Sequence, residues 1–268
     1  MIRSALFVPA TRIDRIEKAL ATGADAVIVD LEDAVAVEAK VQARNDLATF
    51  LSAHHDIELW VRVNGVKTPW FDDDLLLCTR FPQLKGVMLP KTEHPEQIAR
   101  VYSKAGKAVY PIIESAKGVA AIPELARVQG VARLSFGALD LGVDLGLENG
   151  SEGATFLLNQ MRVQLVVQSR AAGIGAPLDG VYPNFKDIEG LRQSMRFTKG
   201  MGFAGALCIH PSQVEVIHSV MSFSEEETRW AKAVLAKYEE TGLAAFAFEG
   251  QMVDMPVIER AKRLLSVR

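Results

Sequence analysis

Eight short runs of apolar, β-branched residues punctuate the chain, at 4–8, 25–30, 58–63, 85–90, 109–113, 132–137, 176–181 and 204–209. Most are separated by longer amphipathic stretches, and that alternation predicts a parallel sheet linked by helices. The runs are continuously apolar, as strands covered on both faces must be. Eight of them, with no glycine-rich phosphate fingerprint after the first, predict a closed (β/α)8 TIM barrel of α/β class rather than an open doubly wound sheet. Helical patterning is clearest at 35–52 and 225–241, and Ser224 followed by Glu227 is a capping-box pair that sets the start of the second. No repeat or Gly/Ser linker divides the chain. The barrel is expected over 1–222, with a C-terminal helical extension over 223–268.

A barrel collects its chemistry where its strands end. Here those ends read Thr11 and Arg12, Glu32 and Asp33, Arg62 and Asn64, Lys91, Glu114, Asp140, Tyr182 and His210. Nearly all are polar or charged directly after an apolar run, a regularity that a solvated surface does not require. Glu114 and Asp140 follow consecutive strands, which lie roughly 5 Å apart, so one cation can bridge them. Few and hard oxygen ligands suit Mg2+, which completes its octahedron with water and substrate. The competing reading pairs each carboxylate with a neighbouring cation, such as Lys117 for Glu114.

Asp33 can cap a helix beginning near Ala34, and Glu32 is expected to orient metal-bound water or Arg62. Arg62 interrupts an apolar run, so it must meet anions if it points into the barrel mouth. It can grip a substrate carboxylate bidentately or pair with Glu32, Asp33 or Glu114, and the two are compatible. His210 is open between a general base and a cap for the next helix. His54, His55, His94 and His218 read as solvated.

The length of 268 residues suits one such barrel, and 49% hydrophobic with 24% charged residues is ordinary for a soluble globular protein. A net charge of -3 supplies no basic field for nucleic acid or an anionic membrane. Cys78 and Cys208 lie in no metal-type spacing and read as buried thiols in a reducing compartment. The opening residues are too short for a signal peptide and no run is long enough to span a membrane, so a cytoplasmic location is expected. The apolar segment 243–256 follows the eighth unit, where the barrel core does not need it, and is expected to form an intersubunit contact. Its Asp254 needs a partner or a task in a dry interface.

Motifs in order along nearly the whole chain carry a specific resemblance. Ser4-Ala-Leu-Phe-Val-Pro9, Asp30-Leu-Glu-Asp-Ala-Val35 with Lys40 and Ala43-Arg44, Val61-Arg-Val-Asn64 and Met88-Leu-Pro-Lys91 form the first half. Ile113-Glu114, Gly137-Ala-Leu-Asp140, Ile209-His-Pro-Ser-Gln213 and Gly250-Gln-Met-Val-Asp-Met-Pro256 complete it. The set resembles the citrate lyase beta-subunit-like CoA-ester lyases, including malyl-CoA and citramalyl-CoA lyases.

The resemblance implies a trimer or a multiple of one, with Mg2+ on Glu114 and Asp140. It implies that Arg62 contacts the oxo acid, together with Glu114, Gly137 and Ala138, and that Asp254 is the acid/base, reaching into a neighbouring subunit's site. Phe7 and Lys18 match positions that contact CoA, and Glu32 and Asp33 accompany the catalytic set. It departs at Ala10, where the family often has glycine. The implied reaction is cleavage of a malyl-, citramalyl- or citryl-type 3-hydroxyacyl-CoA into acetyl-CoA and a 2-oxo acid. The alternatives are a thioester hydrolase or a malate-synthase-like condensing enzyme on the same scaffold, and last a non-catalytic oligomeric subunit.

Overall fold

The structure is a computed structural model that describes residues 2–266. Eight parallel strands close into a barrel in chain order. They are β1 (Ser4–Pro9), β2 (Ala26–Asp30), β3 (Leu59–Arg62), β4 (Leu84–Leu89), β5 (Ala108–Ile113), β6 (Arg133–Phe136), β7 (Gly175–Asp179) and β8 (Gly205–Cys208). All eight apolar runs are therefore strands, and the ends shift by at most two residues. Closure by β1 against β8 leaves no sheet edge, which suits strands without polar faces.

Side chains fill the barrel interior. Ala5, Ile28, Met88, Ile112, Leu178 and Leu207 pack with Trp60 and Tyr110, whose rings stack at 3.8 Å. Gly86 makes room for that pair, since a Cβ there would lie 2.6 Å from the Tyr110 ring. With the interior filled in this way, chemistry is confined to the mouth, at the C-terminal ends of the strands.

Two compact units make up the chain, Ile2–Ser219 and Val220–Arg268. In the second, helix Glu225–Thr241 starts at the expected capping box, with Ser224 and Glu227 bonded in both directions. The extension is not helical throughout. Residues expected only as an apolar tail form an antiparallel hairpin, β9 (Ala245–Phe248) and β10 (Gln251–Asp254), before helix Met255–Ser266. Glu249 and Gly250 both take positive φ, as the tight turn of a two-residue hairpin requires. Phe246 faces Val253 across the hairpin and both pack on Ala231, Val234, Ile258 and Ala261. Half of the segment's apolar pattern thus serves its own unit, while Leu243, Met252 and Met255 stay exposed.

Two histidine expectations change. The His218 Nε2 lies 2.7 Å from the buried Ser4 hydroxyl and 3.4 Å from Asp25, so this ring is tied into the fold rather than solvated. His54 stacks on Phe50 and sits 3.3 Å from Glu17. Both cysteines are buried and unpaired, and burial pushes their thiols up, so neither is a ready nucleophile. No helix among the described residues is long and apolar enough to cross a membrane.

Candidate active site

Asp30 and Arg62 end adjacent strands at paired register, which sets their side chains beside each other at the barrel mouth. The guanidinium forks onto the Asp30 carboxylate through Nε at 2.7 Å and Nη2 at 2.6 Å. Its Nη1 reaches Glu32 at 3.2 Å and Asp33 at 3.6 Å, and its face lies over the Phe7 ring at 4.8 Å. Buried among anions, Arg62 is held firmly protonated. The bidentate grip expected on a substrate carboxylate is thus made on Asp30, and Arg62 offers the cavity its charge rather than a free fork.

Asp30 was not among the residues expected to act, yet it organises this corner. It also accepts the backbone amides of Glu32 at 2.9 Å and Ala34 at 3.1 Å, fixing the loop that carries both acids. Lys40 holds the same loop from beneath, its Nζ donating to the Leu31 and Glu32 carbonyls. No helix starts at Ala34; regular helix begins at Lys40 after a 3-10 turn, so Asp33 is not a cap. It is half-exposed at the cavity wall. The loop after β3 is fixed similarly: buried Asp74 accepts the Asn64 amide and side chain, and Arg44 bonds Asp74 at 3.1 Å. The Lys40, Arg44 and Asn64 positions of the sequence motifs therefore serve as scaffolding.

Lys91 bridges the two acidic groups. Its Nζ bonds Glu32 at 2.8 Å, and its backbone amide donates to Glu114 Oε1 at 2.6 Å. That amide is aimed by an unusual left-handed backbone, φ 50°. Glu32 is buried, which raises its pKa against the pull of Arg62 and Lys91. Glu114 is only 5% exposed. Burial, with Asp140 and Glu32 as nearby negative charges, pushes it up to about 8, while the Lys91 amide opposes the rise. Gly137 packs against it so closely that an added Cβ would collide with the Glu114 Cβ and lie 2.6 Å from Oε2.

These groups surround a cavity of about 420 Å³. Asp30, Asp33, Arg62, Glu114 and Asp140 line it, as do Gly137 and Ala138, with Phe7, Ile112, Phe136, Val181, Leu207 and Ile209 as apolar wall. Glu114 and Asp140 both face it, and among the described residues no third carboxylate, imidazole or thiol joins them at ligand spacing. Two carboxylate ligands with the remaining positions left to water and substrate fit Mg2+, and do not fit a closed zinc site.

Not every expected residue converges here. Lys18 is exposed on helix Ile16–Leu20 and does not line the cavity. The Ala10 methyl is fully buried and also outside the lining. His210 stacks on Phe185 at 4.6 Å and accepts the Ser212 amide through Nδ1, capping the helix that follows. Asp254 belongs to the second unit, where Oδ1 accepts the Val257 amide at 3.4 Å at the start of the last helix. The signal missed in the sequence was register: Asp30 and Arg62 pair only once β2 and β3 align.

Residues 3–211 match the HpcH/HpaI aldolase/citrate lyase family model. The chain belongs to this family. It is an enzyme of the carbon–carbon lyase type, and residues 159–266 also match a model of carbon–carbon bond lyases of the TIM-barrel fold. Among family relatives, a citrate lyase subunit beta-like protein of Deinococcus radiodurans is 36% identical, over 99% of this chain and 97% of its own. The human mitochondrial citramalyl-CoA lyase is 32% identical over 99% and 85%, and a (3S)-malyl-CoA thioesterase of Cereibacter sphaeroides 32% over 98% and 93%. The solved structure of CitE from Mycobacterium tuberculosis, in complex with magnesium, acetoacetate and coenzyme A, superposes with a TM-score of 0.84 at 34% identity, covering 98% of this chain and 97% of that one.

Proposed function

We propose that the protein is a Mg2+-dependent lyase that cleaves a 3-hydroxyacyl-CoA of the citramalyl, malyl or citryl type into acetyl-CoA and a 2-oxo acid. The observation that carries this reading is the pairing of buried Glu114 with Asp140 at the cavity. Two facing carboxylates, one of them desolvated, call for a cation between them. Glu114 and Asp140 would hold Mg2+, which would supply Lewis-acid polarisation of a substrate oxygen.

The chain's own residues do the rest. Arg62, held protonated and fixed by Asp30, stabilises negative charge as the hydroxyl gives its proton to water in the cavity and so to solvent. Solvent in turn reprotonates the donor carboxylate after each cleavage. Glu32 and Lys91 hold that guanidinium and Glu114 in place. As the carbonyl forms, the carbon–carbon bond breaks and its electron pair passes to the thioester enolate. One proton delivered to the enolate carbon completes acetyl-CoA, and Asp254 of a neighbouring subunit in a trimer, or a multiple of one, is the donor. In the condensing direction the same carboxylate removes that proton. Phe7 and the apolar wall receive the thioester arm, with Lys18 further along the CoA. The enzyme works in the cytoplasm and engages neither nucleic acid nor membrane.

Similarity to a malyl-CoA thioesterase favours one second reading, in which water cleaves the thioester in the same cavity. Coupled assays of 2-oxo acid and free thiol from malyl-, citramalyl- and citryl-CoA, with Mg2+ and with chelator, decide the matter. Oxo acid with acetyl-CoA and no thiol supports the lyase. Stoichiometric thiol supports the hydrolase.

A further inference from the structure

Glu114 and Asp140 are carried by different elements. Glu114 follows β5 directly, whereas Asp140 sits on the helix Ala138–Asp144. That helix is seven residues long and buries only Leu141. Its Leu139 and Val143 are 51% and 82% exposed. So short a helix is marginal by itself, and one buried side chain does little to fix its rotation, and with it the direction of Asp140.

Polar ties fix it instead. At its start the Gly137 amide donates to the Ile113 carbonyl at 2.9 Å. At its end Asp144 Oδ2 accepts the Ala116 amide at 2.7 Å. The anchor points Ile113 and Ala116 bracket Glu114. The first tie is backbone to backbone, but the second depends on the Asp144 side chain. Asp140 and Asp144 are four residues apart and so share one helix face. Both line a second cavity of about 440 Å³ that also includes Glu114. The Ala116 amide opens the helix Ala116–Ala120, where it has no intrahelical acceptor to compete for it.

We infer that Asp144 is a positioning residue for the metal centre: its bond to Ala116 straps the helix of Asp140 to the loop of Glu114 and holds both carboxylates at the spacing one divalent cation needs. The inference rests on the Mg2+ reading of the site and adds a residue outside the ligand pair. Outer partners that aim metal ligands contribute about 10–100-fold in affinity, and an exposed strap belongs at the lower end.

Calorimetric titration of Mg2+ into the full chain tests this with two variants that break the same bond from opposite ends. Asp144→Ala removes the acceptor. Ala116→Pro removes the donor and leaves the Asp144 charge in place. Proline is accepted at a first helical position, and Ser115 before it is already extended at φ −141°, ψ 158°. Each variant should weaken Mg2+ binding by about tenfold, with a thermal midpoint close to that of the wild type. Wild-type affinity in Asp144→Ala overturns the inference. So does wild-type affinity in Ala116→Pro, which would make Asp144 a source of negative charge rather than a strap. If Asp144→Ala fails to fold, Ala116→Pro decides. A wild-type chain that binds no Mg2+ removes the metal reading itself, and the inference with it.

Discussion

At Gly137 the missing side chain is a positioning device, because Glu114 occupies the space a methyl group would need. Gly137→Ala should displace the Glu114 carboxylate and lower kcat/KM by about 100-fold, the scale of a 1 Å misplacement, while the circular dichroism spectrum stays unchanged. Wild-type turnover in that variant would show that Glu114 need not sit where it does. Arg62 makes a second test. Arg62→Lys keeps the charge but loses the fork onto Asp30 and the reach to Glu32, so turnover should fall by at least about tenfold. Lost thermal stability should accompany it, because Asp30 is 1% exposed and has no equal replacement for that partner. Full activity with lower stability would make Arg62 a purely structural ion-pair residue. The charges at 32, 33, 62, 114 and 140 were legible in the sequence because each interrupts or ends an apolar run. Asp30 was not, because it is the last residue of the run itself, inside β2, and the residues that follow a run were the ones expected to act.

Elements were legible wherever one local rule sufficed. The helix at 225–241 was fixed by its capping box, and Ser224→Ala should cost about 1 kcal/mol, read from denaturant unfolding of the full chain. The hairpin in 243–256 was not anticipated, because the segment's apolar content drew attention from its alternation and from the Glu249–Gly250 turn. A different element-level link joins β1 to the helix Ser212–Met221 through Ser4 and His218. Burial lowers the His218 pKa below its usual 6.5, against the opposing pull of Asp25. A base depressed in the folded state contributes stability that is present above 6.5 and is lost as pH falls through the folded value. Thermal midpoints should therefore drop on acidification below pH ~6.5, and His218→Gln should flatten that part of the profile. An unchanged slope in the variant would assign the acid sensitivity to other groups.

For the whole molecule, the reading of Asp254 depends on assembly. Asp254→Ala should be nearly inactive but still oligomeric by light scattering, and so should Glu114→Gln. Mixed oligomers of the two should regain part of the activity, because some interfaces then unite an intact Asp254 with an intact Glu114. No rescue after verified subunit exchange would sink the shared site and leave Asp254 as the cap that its bond to Val257 describes. What the sequence determined by itself was the barrel, its strand count and order, and the charged residues at its mouth. Those follow from local periodicity and from where polar residues break apolar runs. The partner each charge takes was decided only by the tertiary structure. Asp30 takes Arg62 through β2–β3 register, and Lys91 turns its amide to Glu114 through a left-handed residue. His218 is drawn to Ser4 across 214 residues of chain. Such pairings arise between distant segments, and no window along the sequence contains both members.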